Sequence, residues 1–144
     1  MKINQSTISS ILNSATVALE ETNPDSPRLD AELLLSRVLE CHRLDLFLRG
    51  NRLLSSDELV DYLELLRQRS FGCPVAYLTG KKEFWSLNLE VSKDTLIPRP
   101  DTETLIETAV EQILKWQKLN KGRNCSIAEL GTGTAAIPLA LCSE

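Results

Sequence analysis

The strongest constraint on the fold of this chain is the segment 126–141, which reads SIAELGTGTAAIPLAL. A short run with β-branched character leads to an acidic residue, a Gly-x-Gly loop follows, and an apolar, alanine-rich stretch comes next. That order is typical of a strand, a tight turn and a helix whose backbone N–H groups approach a nucleotide-like ligand. We therefore expect an α/β domain to begin here, with a strand at 125–130.

Two ligand classes are compatible with the glycine loop. Dinucleotide-binding folds use G-x-G-x-x-G/A, and Gly131, Gly133 and Ala136 satisfy that spacing. Loops that bind S-adenosylmethionine (SAM) typically read acid-x-Gly-x-Gly, and Glu129 stands at the acidic position. A carboxylate there accepts a hydrogen bond from the ammonium group of SAM but would repel a pyrophosphate, which favours SAM. The alternative without a ligand is that the two glycines only make a tight turn.

The first part of the chain carries apolar residues spaced three and four positions apart, which predicts helices. One helix is expected over 4–22, with a buried face formed by Ile8, Ile11, Leu12, Ala15 and Leu19. A second is expected over 28–39, after Ser26 as its N-cap and Pro27 at the first helical position.

Two more helices complete this part. A short one over 44–48 is expected to end at Gly50 in a left-handed cap. The next begins at a capping-box pattern, Ser55 with Glu58, and is expected to end near Gly72. Its buried face is expected to contain Leu59, Leu63 and Leu66. Together the four helices predict a small α-bundle.

The pattern changes at Cys73-Pro74, and residues 74–80 are interpreted as a connector with one apolar cluster. From Glu83 onward apolar and polar residues alternate, which predicts a half-buried strand or a hairpin with one face formed by Trp85, Leu87, Leu89 and Val91. A further helix is expected over 104–119, where apolar residues recur at helical spacing: Leu105, Ile106, Ala109, Val110, Ile113 and Leu114.

The stretch IPRPDTE at 97–103 predicts a stiff corner, because its two prolines fix φ and hold the residues before them extended. In the structural interpretation Asp101 caps the following helix, and Arg99 and Glu103 are solvated. In the functional interpretation the corner holds Arg99 and Asp101 at the mouth of a site. Three aromatic residues are candidates for stacking on an adenine: Tyr77, Phe84 and Trp85. For Trp85 the alternating pattern favours a place in the core instead.

Composition argues against several classes of function. The net charge of −4 gives no overall attraction to nucleic acid or to an anionic membrane, and no apolar run approaches the roughly 18 residues of a spanning helix. The four cysteines are widely spaced and there is one histidine, so neither a disulfide framework nor a metal site is expected. The N-terminus lacks the apolar core of a secretory signal, and we expect a cytoplasmic protein.

Four motifs of the chain occur together in one known family, in the same order: PVAYLTG at 74–80, EFWSL at 83–87, TLIPRPDTE at 95–103 and ELGTGT at 129–134. With them the chain resembles the bacterial release factor glutamine methyltransferases. The resemblance implies an α + α/β fold in three parts. These are a helical substrate-docking domain at 1–72, a connector with a β-hairpin and the IPRPDTE corner at 73–103, and the truncated start of a Rossmann-like SAM-dependent methyltransferase domain at 104–144.

The resemblance also implies an activity, which is methylation of the glutamine side-chain amide in the Gly-Gly-Gln motif of class 1 peptide-chain release factors. It implies that SAM is bound by Glu129, Gly131, Thr132, Gly133, Thr134 and Ala135. It places a pocket corner at Pro98, Arg99, Pro100 and Asp101. The family's catalytic Asn-Pro-Pro-Tyr motif does not occur in these 144 residues. We therefore assign no catalytic residue and expect this chain to be inactive alone.

The glycine loop departs from the family pattern at three positions. Glu129 replaces the usual aspartate, Ala135 stands where a third glycine is usual, and Pro138 replaces a common alanine. If position 135 requires positive φ, the methyl group of alanine costs on the order of 1 kcal/mol there.

Two alternative functions are a release-factor-binding module without activity and a dinucleotide-binding fragment. The apolar faces expected at 104–119 and 125–130 have no partner strands in this sequence, which predicts self-association or disorder after about residue 122.

Overall fold

The computed structural model describes residues 6–22, 25–121, 123 and 125–144. The chain divides into two compact units, Met1–Thr79 and Gly80–Glu144. The first unit contains helices α1 (Ile8–Glu20), α2 (Pro27–Val38), α3 (Arg43–Leu48), α4 (Ser56–Ser70) and α5 (Val75–Thr79). The second contains strands β1 (Lys81–Phe84) and β2 (Leu87–Glu90), a 3₁₀ turn (Pro100–Thr102), and helices α6 (Glu103–Leu119) and α7 (Ala136–Cys142).

Helix α1 confirms the apolar face predicted for it. Thr7 caps its first turn, where the backbone N–H of Ser10 donates to the Thr7 hydroxyl at 3.2 Å. The helix therefore begins at Ile8, later than the expected span from residue 4, and residues 4 and 5 lie outside the described part of the chain. Its buried residues are Ile8, Leu12, Ala15 and Leu19.

Helix α2 begins with Pro27 at its first helical position, as predicted, but the capping role predicted for Ser26 is wrong. Ser26 makes no side-chain capping hydrogen bond. Its φ of −144° and ψ of 70° lie outside the extended geometry from which a serine hydroxyl usually reaches the first-turn N–H groups.

Gly50 follows α3, but the left-handed cap predicted for it is also wrong, since positive φ is found at other glycines and not at this one. A Cβ atom at Gly50 would clash with the Ser9 hydroxyl. The Gly50 carbonyl accepts the Ser9 N–H at 3.0 Å. Gly50 therefore lies close to the first turn of α1 without a left-handed backbone, and a larger residue here requires the Ser9 hydroxyl to rotate away.

Helix α4 confirms the predicted capping box, with Ser55 and Glu58 satisfying each other's backbone N–H groups at 2.8 and 3.2 Å. The predicted buried face is wrong at Leu63, which is 49% exposed. Tyr62 is fully buried instead, and its hydroxyl donates to the Ala31 carbonyl at 3.0 Å. The helix is thus rotated to bury the larger aromatic ring, whose polar end finds a partner on α2.

Residues 75–79, interpreted from sequence as part of a connector, form the short helix α5. Val75 and Leu78 pack against the core of the first unit. Because these two residues are three positions apart, one helical turn puts both side chains on the same face. The apolar cluster noticed in the sequence is therefore an addition to the helical core.

The second unit begins with a β-hairpin, which confirms the hairpin rather than the single strand among the two structures predicted from the sequence. Strands β1 and β2 are antiparallel, with Lys81 opposite Glu90 and Phe84 opposite Leu87. Trp85 and Ser86 form the turn with φ of 51° and 60°, the left-handed pair typical of a two-residue turn. Trp85 therefore lies at the turn rather than on a strand face. The buried hairpin residues are Phe84 and Leu89, and Val91 follows them.

The corner at 97–103 leads into α6, which begins one residue before the predicted span. Asp101 lies inside the 3₁₀ turn, Thr102 occupies the N-cap position, and no side chain caps the helix, so the capping role predicted for Asp101 is wrong. Ile106 is the buried residue of α6. Three other apolar residues of the helix are more than half exposed: Leu105, Leu114 and Leu119.

The strand predicted at 125–130 does not form, and none of those residues belongs to a β-strand. A strand requires ladder hydrogen bonds from a neighbour, and in the described part of the chain the sheet consists of β1 and β2 alone. The structure is thus helix-rich with one small antiparallel sheet, and a Rossmann-like beginning remains a prediction. Helix α7 carries Pro138 in its first turn, as predicted. Within the described residues no helix combines the length and apolarity needed to cross a bilayer.

Glu32 is the one buried charged residue in the part of the chain that the structure describes, at 2% exposure. Arg28 donates to its Oε1 at 2.7 Å, and Arg43 donates to its Oε2 at 2.6 Å. Arg28 also donates to Asn13 of α1 at 2.9 Å. Burial by itself raises the pKa of Glu32, but the hydrogen bonds from Arg43 and Arg28 outweigh it and hold the pKa below its usual value. One carboxylate therefore joins α2 to α3 and, through Arg28, to α1.

Replacing Tyr62 tests the observed packing of α4. We expect Tyr62→Ala to lower the free energy of unfolding by about 3–5 kcal/mol, because it leaves a cavity the size of an aromatic side chain. Leu63→Ala, the matched control on the next residue, should change it by less than about 1 kcal/mol. Urea unfolding followed by far-ultraviolet circular dichroism measures both. Equal losses for the two variants would mean that the face predicted from sequence is the buried one.

Replacing Glu32 tests the buried ion cluster. A carboxyl whose pKa is lower folded than unfolded stabilises the fold above the unfolded pKa, near 4.5, and loses that contribution as the pH falls through the folded pKa. We expect Glu32→Gln to lower the free energy of unfolding by about 1.5–3 kcal/mol at pH 7. The variant should also lose less stability than the parent between pH 5 and about pH 3. The exposed Glu40→Gln is the control, and an unchanged acid profile in E32Q would contradict this account.

Candidate functional site

The glycine loop keeps the backbone shape that its sequence predicted. Gly131 has a φ of 77° and Gly133 a φ of 53°. A Cβ atom at Gly131 would meet nothing within 4 Å, and one at Gly133 would come no closer than 3.9 Å to another atom. The glycines are thus required by backbone conformation rather than by crowding. Open space lies over the loop, where a ligand can approach the backbone.

Within the loop the structure brings Glu129 and Thr132 together. The Thr132 hydroxyl donates to Glu129 Oε2 at 2.6 Å, and the Thr132 carbonyl accepts the Ala135 N–H at 2.8 Å. An ionised carboxylate offers about four acceptor positions, so this hydrogen bond leaves Glu129 able to accept others. Thr134 is half-buried and makes no side-chain hydrogen bond in the described part of the chain.

Ala135 adopts the left-handed backbone conformation, which is costly for an alanine. It stands before α7 with a φ of 58° and a ψ of 26°, in the left-handed region. Its carbonyl still accepts the Leu139 N–H at 3.0 Å and so begins the helix. For an alanine this geometry costs about 1–2 kcal/mol. The loop therefore contains strain at the position where family members usually have glycine.

The two sides of the loop are held differently. On the C-terminal side, Ala136 and Ala140 of α7 are buried in one cluster with Phe84, Leu89 and Ile106. On the N-terminal side, Leu130 is 97% exposed and Ile127 is 57% exposed. The hairpin and α6 therefore fix the start of α7, whereas the approach at 125–130 has no comparable packing.

The residues of the corner at 98–101 differ in their exposure to solvent. Pro98 is buried, whereas Arg99, Pro100 and Asp101 are exposed. The Arg99 carbonyl accepts the Thr102 N–H at 3.0 Å, which closes the 3₁₀ turn. Among the described residues, no hydrogen bond or ion pair joins Arg99 or Asp101 to the glycine loop. Their place in a pocket thus remains a prediction.

The aromatic residues separate into two groups. Phe84 is 1% exposed, so it is a core residue and does not stack on a ligand. Trp85 is half-buried, and its indole N–H donates to Glu144 Oε1 at 2.7 Å. Tyr77 lies half-buried on α5 in the first unit. Trp85, for which a core place was predicted, is only partly buried against the core that contains Phe84.

Glu103 has a partner that sequence reasoning missed, since the structural interpretation left it solvated. Its Oε1 accepts the backbone N–H of Trp85 at 3.1 Å. The bond fixes the left-handed hairpin turn to the first residue of α6. The two residues are 18 positions apart, so no local pattern revealed the contact.

Metal binding has no support in the described residues, where no group of three or more histidine, cysteine, aspartate or glutamate side chains could hold an ion. The four cysteines are free thiols: Cys41, Cys73, Cys125 and Cys142. Burial raises the pKa of the Cys41 thiol, and the neighbouring Asp45 raises it further.

Residues 10–80 match the family model described as the PrmC N-terminal domain. The matched range contains most of α1, the helices α2 to α5, and the glycine that follows them. It therefore corresponds closely to the first compact unit.

The chain is also similar over most of its length to curated proteins called release factor glutamine methyltransferase. The one from Vibrio cholerae is 45% identical over 138 residues, which is 96% of this chain and 46% of that protein. The one from Aliivibrio fischeri is 42% identical over 137 residues, 95% of this chain and 46% of its own length. The one from Buchnera aphidicola is 50% identical over 119 residues, which is 83% of this chain and 41% of that protein. The chain thus spans less than half the length of these relatives.

Relieving the strain at Ala135 is expected to stabilise the second unit. Ala135→Gly removes the left-handed penalty of about 1–2 kcal/mol but adds freedom to the unfolded chain, which offsets about 0.4–1 kcal/mol of the gain. A net gain of roughly 0.5–1 kcal/mol follows. Urea unfolding followed by tryptophan fluorescence measures it, since Trp85 and Trp116 both lie in this unit. The control, Ala140→Gly in the body of α7, should lose at least about 1 kcal/mol, because it lowers the helix propensity and removes a buried methyl group. A similar loss in A135G would contradict the strain.

Proposed function

Because this chain belongs to the release factor glutamine methyltransferase family, we propose that it is part of an enzyme that methylates class 1 peptide-chain release factors. The methyl group passes from SAM to the side-chain amide of the glutamine in their Gly-Gly-Gln motif. The observation that carries the proposal is the 45% identity to a relative of this name over 96% of the chain, glycine loop included. Since the chain spans less than half of that relative, the proposal concerns the enzyme to which these residues contribute.

The cofactor part of the proposal rests on the glycine loop. The loop fits SAM in two respects, since the space over Gly131 and Gly133 is open and Glu129 keeps acceptor positions beyond its bond to Thr132. Glu129 accepts a hydrogen bond from the ammonium group, and the backbone from Gly131 to Ala135 lies against the cofactor. An acid in this position disfavours a pyrophosphate, so we rank SAM above a dinucleotide. Parallel titrations with SAM and NAD distinguish the two.

When bound, SAM supplies an electrophilic methyl group. An amide nitrogen is a poor nucleophile, so the enzyme must align it with that methyl group and withdraw its protons. The residues of this chain include groups suited to binding and orienting the cofactor. We assign to none of them the removal of the amide protons. The loop holds the cofactor, and we expect the corner at Pro98–Asp101 to border the pocket, with Pro98 buried and Arg99 exposed. These 144 residues alone are therefore expected to be inactive.

The first unit has the complementary task of docking the release factor. It has a closed helical core and contains no glycine loop of this type. The division at 1–72, 73–103 and 104–144 is kept as a functional division, with α5 added to the docking domain because Val75 and Leu78 pack on its core. Translation factors are cytoplasmic proteins, so we place the enzyme there.

A second candidate function is release factor binding without catalysis. It is favoured by the exposed apolar residues of the second unit, which include Leu114, Leu119 and Leu130, beside a first unit whose helices share one core. The same residues are the expected surface for self-association of this chain. Under this alternative the chain binds the release factor, but completing it with the remainder of a relative gives no methyl transfer.

A chimera tests the proposal. Residues 1–144 replace the matching segment of the Vibrio cholerae relative, and the chimera is incubated with SAM and a class 1 release factor. We expect mass spectrometry to find one methyl group on the Gly-Gly-Gln glutamine. A release factor variant lacking that glutamine should receive none, and the isolated 144-residue chain should transfer none.

Two valine substitutions separate the cofactor loop from general backbone strain. Gly133→Val and Gly72→Val both place a β-branched residue at positive φ in open space, but Gly72 lies in the first unit. In the chimera we expect Gly133→Val to abolish transfer and Gly72→Val to preserve it. A folded chimera without activity, beside an active relative, would refute the proposed function. Methyl transfer by the isolated chain would refute its expected inactivity.

A further inference from the structure

We propose that the first unit carries a docking surface for an acidic, amphipathic protein segment, formed by the exposed apolar face of α3 and an arginine-lined cavity beside it. The proposal rests on the proposed function, under which the segment belongs to the class 1 release factor.

The apolar part of this surface is formed by three side chains of α3. The helix has the sequence Arg-Leu-Asp-Leu-Phe-Leu but buries only Leu46. Leu44 is 74% exposed, Phe47 57% and Leu48 84%. These residues occupy positions i, i+3 and i+4, so they share one face of the helix, which we call the α3 patch. Large apolar side chains gathered on one face are typical of a surface that contacts another protein.

Helix α3 is held rigidly beneath this patch. Arg43 donates two hydrogen bonds to the buried Glu32, at 2.6 and 3.2 Å. Asp45 accepts the His42 N–H at 3.0 Å and so satisfies the start of the helix, and Leu46 lies in the core. A partner that binds the α3 patch therefore does not have to order it first, which lowers the entropic cost of association.

A cavity of about 70 Å³ borders the helix on its Asp45 and Arg49 side, and we call it the socket. Ile8, Leu39 and Leu46 contribute apolar surface to it, and Arg49 and Arg52 contribute guanidinium groups; Cys41 and Asp45 complete the lining. The size and lining fit the end of a short side chain with a carboxylate, since a guanidinium group binds a carboxylate through two parallel hydrogen bonds.

One guanidinium group at the socket has no ion-pair partner among the described residues. Arg52 already pairs with Glu58 at 2.7 Å, and Asp45 is engaged by the His42 N–H. Arg49, by contrast, forms no ion pair among the described residues and is exposed. The socket thus keeps one free guanidinium group, and an incoming carboxylate supplies its missing partner.

The wider charge distribution supports an acidic protein partner. The segment 37–52 contains four arginines and two carboxylates, although the whole chain has a net charge of −4. Glu32 and Glu58, outside this segment, pair with two of the four arginines, so the attraction for an acidic partner comes from the unpaired Arg49 at the socket. A nucleic acid requires many phosphate contacts, and here one free arginine stands beside three apolar side chains. A protein segment that combines apolar residues with a carboxylate matches both halves of the surface.

Binding by the intact 144-residue chain tests the proposal. A fluorescently labelled class 1 release factor is titrated with the parent chain, with the patch variant Phe47→Ser/Leu48→Ser, and with the socket variant Arg49→Glu. The matched controls are Val17→Ser and Val60→Ser, which remove apolar side chains 59% and 64% exposed on α1 and α4, and Arg123→Glu in the second unit. All the substituted residues are exposed, and circular dichroism verifies that each variant folds.

We expect the patch and socket variants each to raise the Kd at least about tenfold, and the controls to leave it unchanged. Arg49→Glu should also reduce the dependence of the Kd on salt, since it removes the interfacial cation. Equal Kd values for the parent, patch and socket variants would overturn the proposal, as would loss of binding only in the controls. So would failure of the parent chain to bind, or binding of anionic phospholipid vesicles or RNA in place of the release factor. The methyl-transfer chimera reports on the proposed function separately, because a chimera that remains active while these binding outcomes fail refutes the docking surface alone.

Discussion

The buried carboxylate of Glu32 is the interaction on which the arrangement of the first unit depends. Removing a carboxylate from water is costly, and here Arg28 and Arg43 offset that cost with hydrogen bonds of 2.7 and 2.6 Å. Arg43 begins α3, so the same ion pair that satisfies Glu32 also sets where this short helix lies on α2. A six-residue helix has little stability of its own. The exposed face of α3 is therefore a consequence of a buried charge beneath it.

The second unit is organised around strained backbone rather than around a buried charge. Among its described residues, four other than glycine are left-handed: Trp85, Ser86, Lys121 and Ala135. Glu103 holds the first of them through its backbone N–H, and the small core around Ile106 holds the start of α7. Strain of this kind persists where surrounding contacts impose it and is frequent at functional sites. Two of these places, the hairpin turn and the glycine loop, join the same small core.

Most of the features that could be predicted depend on neighbours in sequence, although the local caps expected of Ser26 and Asp101 do not form. Features that depend on distant partners could not be predicted. The Ser55–Glu58 capping box and the positive φ of Gly131 follow from residues within three positions. Gly50 was misread because its close neighbour is Ser9, and the rotation of α4 because the Tyr62 hydroxyl bonds Ala31, 31 positions away. The strand at 125–130 failed for the same reason, since a strand exists only with a neighbour. At the candidate site the loop geometry was predictable, whereas the bond between Glu103 and Trp85 was not.

The central claim is that the two units have separate tasks, release factor docking in the first and cofactor binding in the second. Nuclear magnetic resonance of the ¹⁵N-labelled chain tests it most directly, by titration first with a class 1 release factor and then with SAM. The account predicts that the release factor shifts amide signals in Arg43–Arg52, and that SAM shifts those in Glu129–Ala135. Release factor shifts confined to the second unit, or SAM shifts in the first, would contradict it.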